Sequence, residues 1–175
     1  NGAHLYRFTP EQMALYQQKK PEHYRKTLST AGIRLRFCTN SEKLFIRIHV
    51  TDQGGTRRFF GVDIFANGKC VDTIENYSEA DLSGDYTAVS VPTGEFSKNV
   101  RLGRGQKEVC IYLPWSMNTV IKDLILDDDA TLIPVKPTKK LLCFGDSITQ
   151  GSTAIQGSNT YFWRVTQHFD LHSMN

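Results

Sequence analysis

The sequence predicts a mostly β protein: a jelly-roll β-sandwich followed by the first β-α unit of an α/β domain. Three observations carry that expectation. Runs of six to eight residues between positions 31 and 135 alternate apolar with polar residues. Gly-, Asn- and Asp-bearing turn signals separate them. After residue 136 the grammar changes, to a continuous apolar run, a Gly-rich turn and apolar residues at helical spacing. Period-2 alternation means one buried and one wet face, and many short strands with such turns make a sandwich or jelly roll. Strand, turn, helix is the opening unit of an α/β domain.

In chain order, residues 10–28 hold helix formers without strong periodicity, which predicts a short helix or a strap. "IRLRFC" (33–38) sets Ile33, Leu35 and Phe37 against Arg34 and Arg36. "LFIRIHV" (44–50) places Leu44, Ile46, Ile48 and Val50 on one face. "FFGVDIFA" (59–66), "YTAVSV" (86–91), "EVCIYL" (108–113) and "VIKDLIL" (120–126) are the other expected strands. "TDQGGT" (51–56), "ANGK" (66–69), "LSGD" (82–85) and "RLGRGQ" (101–106) are the turns. "IPVKPTKK" (133–140), with two prolines and three lysines, reads as a linker, dividing the chain at 1–136 and 137–175. "LLCFG" (141–145) reads as a strand buried on both faces of a parallel sheet. The helix is expected from about 159 to 169, capped by Ser158 or Asn159, with Phe162, Val165 and Phe169 on its apolar face.

Composition narrows the function classes. The net charge of +3 is spread evenly, which is no basic footprint for nucleic acid. No run of about 18 apolar residues exists to span a membrane. Cys38, Cys70, Cys110 and Cys143 form no C-x-x-C pair, so zinc and redox motifs are not expected. Three of the four lie in apolar strand-like runs, where a free Cys is a small hydrophobe. Free thiols favour a reducing, cytoplasmic setting. The chain begins at Asn1 without Met, so a secreted protein with a removed leader stays open.

The informative stretch is "CFGDSITQG" (143–151). It is not a P-loop, because no Lys precedes Ser152 to reach a phosphate, and G-x-G-x-x-G is absent. It is not a G-x-S-x-G elbow, because Asp146 precedes the Ser and no Gly follows two residues on. What remains is Gly-Asp-Ser at the carboxyl end of a buried strand, the edge where open α/β sheets place their sites. A Ser there projects its hydroxyl into a cleft while the turning backbone offers N–H groups to an oxyanion. A Ser or Asp after a strand also caps turns with no chemistry at all. Both readings stand on the residues alone.

"FGDSITQG" closely resembles the first conserved block of the SGNH (GDSL-type) serine hydrolases, which include esterases, lipases and carbohydrate deacetylases. "GVDIF" (61–65) and "KEVCIYLPWSMNTV" (107–120) resemble the β-sandwich that precedes the hydrolase domain in one bacterial branch, an arrangement shared with carbohydrate esterase family two. The resemblance implies a three-layer, flavodoxin-like hydrolase domain begun at residue 137. It implies that Ser147 is the nucleophile and that its N–H is one oxyanion donor. Gly145, Asp146, Ile148, Thr149, Gln150 and Gly151 would shape the turn. The substrate would be a carbohydrate or small-molecule ester, with no cofactor and no metal.

The family's later blocks, a Gly and an Asn for the oxyanion hole and an Asp-x-x-His, have no match in these 175 residues. The ending "DLHSMN" looks like the approach to a second strand. His168 and His172 are the only histidines after Ser147, and they are expected at the far end of the helix, outside reach of the hydroxyl. The chain alone is therefore expected to be inert, and its incomplete α/β part to self-associate. The competing expectation is a non-catalytic carbohydrate-binding or accessory sandwich. Asp127, Asp128 and Asp129 are expected in a polar turn rather than around a cation. Trp115, Tyr112, Phe59 and Phe60 are expected in packing or turn anchoring rather than on a sugar.

Overall fold

The alternating runs become strands of two sheets that share one apolar interior. The fold is a computed structural model that describes residues 2–51, 58–82, 91–136, 139–152 and 154–174. Residues 86–90 of the strand expected at 86–91, and 52–56 and 83–85 of the turns expected at 51–56 and 82–85, lie outside the described residues. The strands in chain order are β1 (Ala3–His4), β2 (Arg34–Thr39), β3 (Lys43–Thr51), β4 (Gly61–Ala66), β5 (Lys69–Glu75), β6 (Gly94–Arg101), β7 (Lys107–Tyr112), β8 (Asn118–Leu126) and β9 (Ile133–Pro134). Among the described residues, one antiparallel sheet has the order β1-β8-β3-β6 and the other β5-β4-β7-β2-β9.

β3 follows its pattern closely: Leu44, Ile46, Ile48 and Val50 are fully buried. They face Phe37, Val62, Ile64, Val109 and Ile111 from the opposite sheet in one core. β8 departs from strict alternation for a local reason. Its register against β3 shifts between Arg47 and Ile48, leaving Lys122 as an extra residue, so the core-facing set passes from Thr119 and Ile121 to Leu124 and Leu126. β5 and β6 went unread in the sequence because Cys70, Val71, Thr73 and Ser97, Lys98, Asn99 blur the alternation.

Residues 10–28 form two helices rather than a strap. α1 (Pro10–Lys19) starts with a capping box between Thr9 and Gln12 and with Pro10 at its first position, and α2 (Pro21–Thr27) starts on Pro21. Asp127 accepts from Ser41 Oγ and from the Glu42 and Lys43 N–H groups, which holds its carboxyl below the usual range and fastens the 40–43 turn. Phe59, Phe60 and Tyr112 are buried, as packing aromatics.

The segment read as a linker begins inside the sheet, since Ile133 and Pro134 pair with Cys38 and Phe37. Beyond it come β10 (Lys140–Leu142), α3 (Ser147–Gln150), α4 (Tyr161–His168) and β11 (His172–Met174). β10 and β11 are parallel, with Lys140 opposite His172, so the ending does form a second strand. Two expectations need correction. The helix is capped by Thr160, not Ser158 or Asn159, and buries Phe162, Trp163 and Thr166; Val165 is 39% and Phe169 63% exposed. The run at 141–145 is not covered on both faces: Leu142 is 57% and Phe144 89% exposed.

Candidate active site

Ser147 sits where strand turns into helix. β10 ends at Leu142, and α3 begins at Ser147 itself. Asp146 is the N-cap, its carboxylate accepting from the Ile148 N–H at 2.9 Å. The cap engages the second helical N–H and not that of Ser147, the first. Ser147 is exposed, and no hydrogen bond of its hydroxyl is formed among the described residues. Gly151 closes the turn in the left-handed region, at φ +113°, with its N–H on the carbonyls of Ser147 and Ile148. Gly145 has a different reason to lack a side chain: a Cβ there would lie 2.6 Å from Thr149 Cβ.

The turn is tied on its inner side. Thr149 is buried, its hydroxyl 2.6 Å from that of Tyr161. Gln150 donates to the Trp115 carbonyl at 3.4 Å, and the Trp115 indole N–H donates to Ala154 O at 2.5 Å. Gly151 packs against that indole, where a Cβ would meet Trp115 Cγ at 3.3 Å. Trp115 is thus a turn anchor. Ile148 projects outward, 64% exposed.

The sandwich supplies further ties that the sequence reading missed. On the outer face of β4 and β7, Cys110 and Tyr112 pack against Phe162 and Trp163. Arg34 and Arg36, two apart on β2, share that face because they pair with Tyr112 and Cys110. The Arg34 guanidinium lies over the Trp163 ring at 4.9 Å and donates to Leu171 O. Arg36 holds both Glu108 and Asp170 at 2.8 Å, fixing Asp170 in the left-handed region at φ +48°. Asp63 on β4 accepts from the Ser158 N–H and from the Thr73 hydroxyl. Burial pushes its carboxyl upward. Two arginines between apolar residues of one strand were the available signal; nothing in the sequence marked their partners.

The histidines stand apart from the turn. His168 ends α4 with its ring against Phe169, and His172 lies in β11 beside Lys140. Among the described residues no group of three or more His, Cys, Asp or Glu is placed to hold a metal ion, and no helix is long and apolar enough to cross a membrane. The four cysteines are free; Cys110 is buried and Cys70 exposed. A cleft of about 1050 Å³ is lined by Phe144, Gly145, Asp146 and Gln150 together with Arg34 and, from the N-terminal segment, Arg7.

No family model matches the sequence, and no curated protein matches it. Solved structures do match the fold. A salicylyl-acyltransferase from a tetracycline biosynthetic pathway overlaps with a TM-score of 0.74 at 22% identity, over 97% of this chain and 46% of its own. A GDSL-like lipase from Bacteroides ovatus overlaps at 0.69 and 20% identity, over 93% of this chain and 48% of its own. A family two carbohydrate esterase from Clostridium thermocellum, in complex with cellohexaose, overlaps at 0.57 and 11% identity, over 83% of this chain and 44% of its own. The chain is similar in fold to GDSL-type and family two esterase structures and spans about half their length.

Proposed function

We propose that Ser147 is the nucleophile of an SGNH-type serine hydrolase that deacylates a carbohydrate or small-molecule ester. The observation that supports this most is the placement of an exposed Ser at the first position of a capped turn, at the carboxyl end of a parallel strand, in a chain of esterase-like fold. Its Oγ attacks the ester carbonyl, and a histidine takes the proton. The oxyanion forms against the Ser147 N–H, which the Asp146 cap leaves unused. Gly145, Asp146, Ile148, Thr149, Gln150 and Gly151 shape that turn.

In this reading, the sheet orders β1-β8-β3-β6 and β5-β4-β7-β2 are those of a jelly roll, spanning 1–136. Residues 137–175 begin a flavodoxin-like hydrolase domain. The base is none of the five histidines of these 175 residues, so this chain by itself is inert. The α/β part begun at 137, with Ile148 64% exposed, is where it self-associates. Free thiols at Cys38, Cys70 and Cys143 suit a reducing compartment. An acyl-enzyme can pass its acyl group to an alcohol instead of water, and the overlap with an acyltransferase favours transfer as the second reading.

Ser147→Ala in the whole gene product tests this on a p-nitrophenyl ester. Turnover should fall by orders of magnitude, since loss of a triad nucleophile reaches about 10⁶. Full activity in that variant would refute the assignment. The 175-residue chain should match its own Ser147→Ala variant in rate.

A further inference from the structure

The cleft beside the nucleophile turn carries a charge pattern that the hydrolase reading does not use. Three arginines line it, Arg7 from the N-terminal segment and Arg34 and Arg36 from β2, against one carboxylate, Asp146. That carboxylate is engaged on the Ile148 N–H. Arg36 is neutralised from behind by Glu108 and Asp170. Arg34 rests on Trp163 and a carbonyl, and Arg7 stacks over Phe8 and donates to the Lys26 carbonyl. Neither Arg7 nor Arg34 is paired with a carboxylate among the described residues. Arg7 Nε is buried with no hydrogen-bond partner, and burial lowers the guanidinium's pKa.

A half-buried guanidinium with an unpartnered Nε and no counter-charge is an arrangement that proteins resolve by pairing. Here the remaining cleft wall offers neutral partners: the Tyr6 and Tyr16 rings, Gln12 and apolar side chains. Planar donors on an aromatic-lined cavity of about 1050 Å³ suit a small molecule with one charged end.

We propose that this cleft binds a small organic oxyanion, a carboxylate or phosphate, with its charge on Arg7 and Arg34. Gly145, Asp146 and Gln150 line the same cleft, so the rest of the ligand lies beside the Ser147 turn. On the hydrolase reading, on which this last step rests, the anion is the charged end of the ester substrate.

The test is calorimetric titration of the Ser147→Ala chain with phenyl phosphate, benzoate and neutral benzamide at matched ionic strength. At least one anion should bind saturably and at least tenfold more tightly than benzamide, and which one binds identifies the head group. Arg7→Met should lose at least tenfold in affinity, and Arg7→Lys should retain part of it. Equal binding of anions and benzamide would overturn the proposal, as would undiminished binding by Arg7→Met. Because Ser147 is absent, anion binding together with an inert whole gene product would remove only the hydrolase reading. Ser147-dependent hydrolysis without anion binding would remove only this site.

Discussion

Two stretches of this chain carry the same message in sequence and meet opposite fates. Val109–Leu113 and 141–144 are both unbroken apolar runs. In β7 and the residue after it, Val109, Ile111 and Leu113 face the sandwich core, while Cys110 and Tyr112 on the other face are covered by Phe162 and Trp163; all five are buried. In the second run, Leu141 and Cys143 pack on that same helix cluster, while Leu142 and Phe144 look into the open cleft. An apolar run states a demand for cover on two faces. It does not say what supplies the cover. One short helix, α4, serves a face of each run, and nothing else among the described residues serves the fourth face.

The largest test of that comparison is to remove the shared cover. Trp163→Ala empties a site that is 3% exposed and deletes the ring under Arg34. It should cost about 3–5 kcal/mol, whereas Phe144→Ala should stay within about 0.5 kcal/mol. Urea unfolding of both variants checks this. Equal losses would mean that Phe144 is covered in solution by something outside the described contacts.

A smaller effect should come from the turn that separates the strand from the helix. Gly145→Ala pushes a methyl group onto Thr149, which is itself held by Tyr161. About 1–3 kcal/mol is expected, as for overpacking elsewhere. On the hydrolase reading, the esterase activity of the whole gene product should fall as well. A Gly145→Ala chain with unchanged unfolding midpoint would show that the turn can yield.

The smallest effect is the most specific. Asp63 on β4 holds the loop before α4 through Ser158, and its carboxyl is pushed upward chiefly by burial. A raised value means that the native state favours the neutral form. That contribution is complete below the ordinary Asp range and is lost as pH rises through the raised value. Asp63→Asn keeps the neutral shape, so its stability relative to the parent should increase on going from acid to neutral pH. Paired denaturation curves at the two pH values measure the change. A difference independent of pH would place the Asp63 titration at its unfolded value.

What the sequence determined by itself is whatever rests on local rules. The interior face of β3 follows from period 2, the α1 start from Thr9, Pro10 and Gln12, and the Ser147 turn from Asp146 and Gly151. Each is set by residues at most a few positions apart. The tertiary structure decided the rest. That Cys110 and Tyr112 face a helix rather than water depends on Trp163, some 50 positions away. The identity of Trp115 as an anchor depends on Ala154, and that of Arg34 and Arg36 as ties depends on Leu171 and Asp170. The charge pattern of the cleft exists only because the fold brings Arg7 to the wall that also holds Arg34 and Asp146. Periodicity reports how much of a segment must leave water. It has no term for the partner, because burial is favourable against any apolar surface and only three-dimensional closure of the chain selects which one arrives.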